Sequence, residues 1–144
     1  MLDNFGRNID YMRLSVTEAC NFRCAYCAPD GYVAPATSPL TVSEIESVVR
    51  SAVALGVTKI RLTGGEPLLR RDIVDIVQTI AAIEGVRDLA LTTNGFLLER
   101  LAQPLANAGL RRVNISLDSL RRERFAQIAG VDAFDAVWHQ RRRV

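Results

Sequence analysis

Several residue types that mark common functional sites are scarce in this 144-residue chain. It has one histidine, one tryptophan and three cysteines, and Lys59 is its only lysine among 18 basic residues. No run approaches the roughly 18 consecutive apolar residues of a membrane span. A net charge of +2 gives no indication of a nucleic-acid or membrane partner. The polar N-terminus does not resemble a secretory signal, so we expect a cytoplasmic protein.

The hydrophobic pattern alternates between short strand-like runs and longer amphipathic runs, which predicts about four βα units. Strands are predicted at 11–16, 59–63, 89–93 and 113–117. Helices are predicted from a cap at Thr41 or Ser43 to Leu55, at 72–83 and at 97–108, with short pieces at 121–128 and 134–138. This alternation predicts an α/β fold of parallel (β/α) repeats. A closed (β/α)₈ barrel needs about 250 residues, so we expect only the first half of a TIM-like barrel.

Residues suited to chemistry follow the predicted strand ends. The cysteines follow the first strand, and Gly64-Gly65-Glu66 ends the second. Thr92, Thr93 and Asn94 end the third, and Ser116 and Asp118 end the fourth. In parallel α/β folds, sites form at the C-terminal edge of the sheet. The pattern therefore predicts one site at that edge.

The cysteines Cys20, Cys24 and Cys27 form a C-x3-C-x2-C motif. Three thiolates on one loop suit a [4Fe–4S] cluster that keeps one iron free of protein ligands. Structural zinc is an alternative, but it prefers four protein ligands. Asp30 is a weak candidate for a fourth ligand, and His139 is far away in the sequence. Three buried cysteines without a metal are the remaining interpretation.

Four segments together resemble a known family: YMRLSVTEACNFRCAYCAPDGY, KIRLTGGEPLLRRDI, LALTTNGFLL and VNISLDSL. The first contains the cysteine motif, with an aromatic residue directly before its last cysteine. The second contains a GGEP segment. In this order and spacing, from about Asp3 to Val137, they resemble the MoaA family of GTP 3′,8-cyclases within the radical S-adenosylmethionine (SAM) superfamily.

The resemblance implies a radical SAM barrel with a [4Fe–4S] cluster and SAM as cofactors. Reductive cleavage of SAM gives a 5′-deoxyadenosyl radical, which abstracts H3′ of GTP during molybdenum cofactor (molybdopterin) biosynthesis. The implied partners are GTP, SAM, an electron donor such as flavodoxin or ferredoxin, and a downstream molybdopterin-precursor enzyme.

The resemblance also assigns residue roles. The implied cluster ligands are Cys20, Cys24 and Cys27. The implied SAM contacts are Tyr26, Gly64, Gly65, Glu66 and Ser116. The implied GTP contacts are Arg13, Lys59, Arg61 and Thr92.

Elementary chemistry agrees with several of these roles. The glycine pair would let backbone approach a ligand, and Glu66 would accept hydrogen bonds from an ammonium group. Because Arg13 and Arg61 alternate with apolar neighbours, we expect both to point into the barrel lumen.

Three further charged residues receive structural interpretations. We expect Arg70 and Arg71 to be solvated at a helix start, and a contact with a phosphate is the alternative. Asp72 is expected to cap that helix.

The chain departs from the family it resembles. Family members are more than twice as long and carry a second three-cysteine cluster region, which this sequence lacks. Residues 1–144 are therefore expected to form a partial core domain of a truncated chain, with an atypical tail at 139–144. The alternatives are another radical SAM enzyme, acting on a peptide or small metabolite, and a non-catalytic iron–sulfur or zinc module.

Overall fold

The computed structural model describes residues 4–32 and 38–141, and within them a parallel four-stranded sheet forms the centre. The strands lie side by side in chain order: β1 (Tyr11–Ser15), β2 (Lys59–Thr63), β3 (Asp88–Thr93) and β4 (Arg112–Ile115). Sequential parallel pairing is the arrangement of a barrel that is built one βα unit at a time. The predicted α/β fold with about four βα units is confirmed.

Five α-helices accompany the strands in the described part of the chain. They are α1 (Val42–Ala54), α2 (Ile73–Ala81), α3 (Leu98–Asn107), α4 (Arg122–Ala129) and α5 (Phe134–Arg141), and a 3₁₀ turn at Pro67–Leu69 precedes α2. Helix α5 extends three residues into the predicted tail. The remainder of that tail, 142–144, lies outside the described residues.

The N-terminus of α1 illustrates how local sequence sets a helix boundary. Thr41, rather than Ser43, is the cap: its side chain accepts a hydrogen bond from the Glu44 amide at 3.3 Å. Glu44 in turn accepts one from the Thr41 amide at 2.8 Å, which completes a capping box. The hydrogen bonds that the Glu44 carboxylate accepts from the amide and the hydroxyl of Thr41 lower its pKa.

The two faces of the sheet differ sharply. Ile60, Leu62, Leu89 and Leu91 are buried against the helices, and with apolar residues of α1–α3 they form what we call the main core. The alternate residues lie on the opposite face, which we call the open face: Tyr11, Arg13, Lys59, Arg61, Thr92 and Asn114. A strand turns successive side chains to opposite faces, so one sheet carries both surfaces.

A second, smaller cluster of buried residues lies beside the cysteine loop, and we call it the loop core. Its members are Phe22, Phe125, Ala129, Ala133 and Val137, and Cys20 and Cys24 pack against it. Helices α4 and α5 supply every member except Phe22 and Ala133. These two helices therefore cover the cysteine loop, whereas α1–α3 cover the sheet.

Candidate functional site

The cysteine loop lies at the C-terminal end of β1. A tight turn brings the amides of Cys27 and Ala28 to the carbonyl of Cys24, at 2.9 and 3.0 Å. The Phe22 amide donates to Cys20 Sγ at 3.4 Å. Cys20 and Cys24 are half-buried and Cys27 is exposed. All three thiols therefore have an open side.

These thiols line a cleft of about 330 Å³ between the cysteine loop and the ends of the strands. Most of the predicted site residues meet there: Arg13, Cys20, Cys24, Tyr26, Cys27, Gly64, Gly65, Thr92 and Ser116. Lys59, Arg61 and Glu66 do not line the cleft. The structure thus gathers residues from β1, β2 and β3 and from the segment that follows β4 at one edge of the sheet, as the sequence pattern predicts.

The glycine pair is explained by the protein's own backbone. A Cβ on Gly64, whose φ is +134°, would lie 2.1 Å from the Thr17 carbonyl oxygen, and one on Gly65 would lie 2.3 Å from that of Ala19. The amides of Gly65 and Glu66 donate to those same carbonyls at 2.8 and 2.7 Å. The pair therefore lets the β2 end lie against the segment before the cysteines. The implied SAM contacts of Gly64 and Gly65 stay predictions.

Glu66 is buried beneath the site and joins two strand ends. Its Oε1 accepts from the Leu68 amide at 2.9 Å and from Thr93 Oγ1 at 2.8 Å, and its Oε2 accepts from the Asn94 amide at 2.7 Å. Burial raises the pKa of Glu66, and these three hydrogen bonds oppose that rise. Its expected bond to an ammonium group stays a prediction, whereas its role in fastening β3 to the β2 end was missed by sequence reasoning.

Lys59 lies at the N-terminal end of β2, away from the cysteines. Its Nζ pairs with Asp10 Oδ2 at 2.9 Å, and this hydrogen bond lowers the pKa of Asp10. Four strand residues of about 3.3 Å each separate Lys59 from the Thr63 end of the strand. The structure does not bring Lys59 to the cleft, and its GTP contact stays a prediction.

Arg13 and Arg61 are register partners on neighbouring strands of the open face. The Arg61 guanidinium lies 5.5 Å from the Tyr11 ring centroid. The side-chain amide of Asn114 is assigned with its oxygen towards Arg61, because in that orientation it accepts from both terminal nitrogens at 3.2 Å. Arg61 Nε is buried and has no partner among the described residues. Like charges side by side on a sheet are unfavourable, so this pair suits a bound anion. Asn114 was missed, although its alternation with Ser116 places both on one face.

Side-chain hydrogen bonds connect the cysteine loop to the ends of two strands. Tyr26 donates to Asp118 Oδ1 and Oδ2 at 3.1 and 3.2 Å, and Asn94 Nδ2 donates to Asn21 Oδ1 at 2.9 Å. Partial burial of the hydroxyl, followed by the Asp118 charge and hydrogen bond, raises the pKa of Tyr26 to about 12. Burial, and then Asp118, raise the pKa of the Cys24 thiol. The sequence placed Asp118 only at a strand end.

Two expectations about charged residues are wrong. Arg70 is not solvated: its side chain is 9% exposed, and its Nη1 donates to the carbonyls of Val16 and Leu40 at 2.8 Å each. Asp72 makes no capping bond, because its carboxylate accepts from Arg70 at 2.8 and 2.6 Å. This pairing lowers the pKa of Asp72. Arg70 thus joins the segments before and after the cysteine loop, while Arg71 is exposed as expected.

Two kinds of feature are absent from the part of the chain that the structure describes. No three His, Cys, Asp or Glu side chains in 4–32 and 38–141 gather closely enough to hold a single metal ion. Over the same part of the chain, no helix is both long and apolar enough to cross a membrane.

The fold and the site define the class of protein. The model of the radical SAM superfamily matches residues 14–139, which is most of the chain and includes the cysteine loop and all four strand ends. The chain belongs to the radical SAM superfamily. A [4Fe–4S] cluster and SAM are the cofactors that this membership implies.

Curated relatives narrow the class. The chain is 55% identical over 133 residues to a GTP 3′,8-cyclase of Stenotrophomonas maltophilia strain K279a, a match that covers 92% of this chain and 41% of the relative. It is 50% identical over 141 residues to a GTP 3′,8-cyclase of Thermodesulfovibrio yellowstonii, covering 96% of this chain and 44% of that protein. The chain therefore spans about two fifths of the length of the curated relatives it matches.

Solved structures support the fold alone, because their sequences are distant. Methylornithine synthase (PylB) matches with a TM-score of 0.75 and 18% identity, covering 92% of this chain and 40% of PylB. Streptococcus suis SuiB bound to S-adenosylmethionine matches with a TM-score of 0.68 and 21% identity, covering 86% of this chain and 27% of SuiB. In each, the matched region is a minor part of a longer chain.

Proposed function

We propose that this chain is the cluster- and SAM-binding part of a GTP 3′,8-cyclase of molybdenum cofactor biosynthesis. One observation carries the proposal: three thiols, the Gly64-Gly65 backbone and Ser116 line one cleft, and Arg13 connects that cleft to the open face. The relatives named GTP 3′,8-cyclase share about half of the residues along nearly the whole chain, which supports the same assignment.

The cysteine loop supplies the ligands in this proposal. Cys20, Cys24 and Cys27 would hold a [4Fe–4S] cluster, which when bound supplies the electron that cleaves SAM. A cluster spreads three thiolates over three irons, whereas one zinc ion needs each sulfur about 2.3 Å from a single centre. The three thiols line one cleft, and three ligands fit a cluster with one open iron better than structural zinc, which prefers four.

The surrounding residues would bind and orient SAM. Backbone at Gly64 and Gly65 borders the cleft and is fixed in place by the Thr17–Ala19 segment. Tyr26 and Ser116 line the same cleft, where their hydroxyls would bind a nucleoside and hold its sugar near the thiols. A cofactor held at several points is kept in one orientation, which a radical reaction needs in order to reach one C–H bond.

The substrate proposal rests on the arginine pair of the open face. Arg13 lines the cleft, and Arg61 lies beside it with one buried donor without a partner among the described residues. Guanidinium groups match phosphate oxygens in a bidentate manner, so the pair suits the triphosphate of GTP. Thr92 would add a hydroxyl from β3, and Lys59 a more distant positive charge.

The remaining partners follow from the chemistry. Reductive cleavage needs a one-electron donor, and we propose a flavodoxin or ferredoxin for this role. The product would pass to the next enzyme of molybdopterin-precursor synthesis. We place these steps in the cytoplasm, since SAM and GTP are intracellular metabolites and the thiols require a reducing compartment.

The first test is anaerobic reconstitution with iron and sulfide, followed by reduction and electron paramagnetic resonance (EPR) with and without SAM. We expect a [4Fe–4S]⁺ signal that changes when SAM is added. Cys24→Ser should abolish the signal, because two thiolates cannot hold the cluster. Ala25→Ser, which places the same side chain at an exposed position of the same loop, is the matched control and should keep the signal.

Two outcomes would contradict the proposal. Full iron content in Cys24→Ser would rule out the ligand assignment. A cluster whose signal is indifferent to SAM would rule out the cofactor site. For the substrate, calorimetry should show GTP binding that Arg13→Ala and Arg61→Ala weaken and that Arg87→Ala, an exposed control, leaves unchanged.

A further inference from the structure

The cysteine loop is attached to the C-terminal end of α4 by backbone hydrogen bonds. The Arg23 amide donates to the Ala129 carbonyl at 3.0 Å, and the Ala25 amide donates to the Ile128 carbonyl at 2.9 Å. The last carbonyls of a helix have no partner within the helix. Here the loop supplies two of those partners, and their amides lie on either side of Cys24.

Gly130 ends α4 at the closest approach of the two segments. Its φ of +66° is left-handed, which favours glycine after a helix. An added Cβ would lie 2.6 Å from the Arg23 carbonyl oxygen and 3.0 Å from Arg23 Cβ. Two independent constraints, the backbone conformation and the contact with Arg23, therefore require glycine at this position.

The side chains of the loop core reinforce this attachment. Phe22, between the first two cysteines, is 4% exposed and meets Phe125 of α4 edge to face, with centroids 6.2 Å apart. Cys20 and Cys24 pack against the same cluster. Buried aromatic contacts of this kind restrict the loop to one conformation. All of these contacts are formed by the protein alone.

We infer that the C-terminal end of α4 shapes the cysteine loop before any cluster is bound, and that Gly130 is a positioning residue for Cys24. The inference rests on the proposed function, because the proposed function is what assigns a cluster to the cysteine loop. It adds that the ligand geometry is set by α4, a helix that carries no ligand and follows the loop by about one hundred residues. A preformed loop lowers the conformational entropy lost when the cluster binds.

Gly130→Ala tests the inference, and Gly109→Ala is its matched control. Gly109 also follows a helix, has a left-handed φ of +102°, and would place its Cβ 2.7 Å from Ala81 Cβ in the main core. Both substitutions force a methyl group into a tight left-handed position, so both should lower global stability. Only Gly130→Ala disturbs the cysteine loop directly.

Two readouts separate positioning from general destabilisation. Amide hydrogen exchange of the cluster-free protein should show Arg23 and Ala25 protected in the wild type and in Gly109→Ala. In Gly130→Ala, these two amides should exchange about tenfold faster or more, while amides of β3 keep the protection seen in the control. After reconstitution, iron content and the SAM-dependent change in the EPR signal should fall in Gly130→Ala and be kept in Gly109→Ala.

The outcomes are distinguishable. If Gly130→Ala keeps the slow exchange and the cluster signal, or if both glycine variants lose them equally, the inference is overturned while the proposed function stands. If the wild type assembles no cluster, the proposed function fails and this inference fails with it. If Gly130→Ala does not fold, Phe125→Leu applies the same test, because it keeps an apolar side chain but removes the edge contact with Phe22.

Discussion

The main core and the loop core differ in how their residues are brought together. Among the described residues, the main core joins strands and helices that follow one another along the chain, with sixteen buried hydrophobic residues from Val16 to Leu105. The loop core has five, and it joins Phe22 to residues 125–137 across nearly the whole sequence. The first is a broad apolar layer, whereas the second depends on a few contacts. We therefore expect the scaffold to be robust and the cysteine loop to open first.

The largest expected effect is a loss of stability caused by a substitution in the main core. It tests whether the loop core stays folded when the main core is weakened. Leu91 is fully buried in β3 and belongs to the main core, on the side of the sheet that the helices cover. Leu91→Ala should lower the free energy of unfolding by about 2–5 kcal/mol, measured by urea denaturation with circular dichroism. Because the cysteine loop opens first, the Arg23 and Ala25 amides should lose less protection than the amides of β3, but they should lose all of it once the sheet unfolds.

Leu55→Ala is the control for that experiment. Leu55 is 62% exposed just after α1, so its loss should change the free energy of unfolding by no more than about 0.5 kcal/mol. If Leu91→Ala unfolded the sheet and left the loop amides protected, the two cores would be independent, contrary to the order of stability proposed here.

Glu66 connects the β2 end to the β3 end and to the segment just before the cysteines. Glu66→Gln tests how much this connection contributes to stability. Glutamine can keep one oxygen for Leu68 and Thr93, but its NH₂ group would face the Asn94 amide, donor against donor. A buried donor without an acceptor costs about 1–3 kcal/mol, so the variant should be less stable by that amount near neutral pH. Glu84→Gln, an exposed change of the same kind, should have no measurable effect.

The difference in stability between the wild type and Glu66→Gln should change with pH in one direction. Burial raises the pKa of Glu66, so its protonated form is favoured more in the folded protein than in the unfolded chain. Stability from this group is complete below its ordinary pKa of 4.5 and is lost as the pH rises through the raised folded value. The free energy of unfolding of the wild type, minus that of Glu66→Gln, should therefore decline as the pH rises through this range. A difference that rises with pH would contradict the assignment.

The sequence predicted the scaffold well because its signals are local. Alternation with apolar neighbours around Arg13 on β1 and Arg61 on β2 predicted that both arginines share one face of the sheet, and the polar residues after the strands predicted the edge where the cleft lies. What it missed depends on tertiary contacts. Arg70 looks like a solvated residue from its neighbours in the sequence, and only the fold brings the carbonyls of Val16 and Leu40 to it. Likewise, nothing local in the sequence places Gly130 against Arg23.

The smallest expected effect concerns the tie between the cysteine loop and the β4 end. Tyr26 is 69% exposed overall, yet its hydroxyl is held by Asp118, and its pKa is raised from 10.0 to about 12. A raised folded pKa means that the tie contributes stability below pH 10 and loses it as the pH rises towards 12. In a spectrophotometric titration, subtracting the Tyr26→Phe protein isolates this one phenol.

Asp118→Asn should bring the isolated Tyr26 midpoint part of the way from about 12 back towards 10.0, because the negative charge is removed while partial burial remains. Asp132→Asn, an exposed change elsewhere on the surface, is the control and should leave the midpoint in place. Since exposure limits the energy of such a contact, the free energy of unfolding should change little at neutral pH. If the midpoint were the same with and without the Asp118 charge, Tyr26 would not be held at the β4 end, and the cysteine loop would be held by α4 and by the Asn94–Asn21 hydrogen bond.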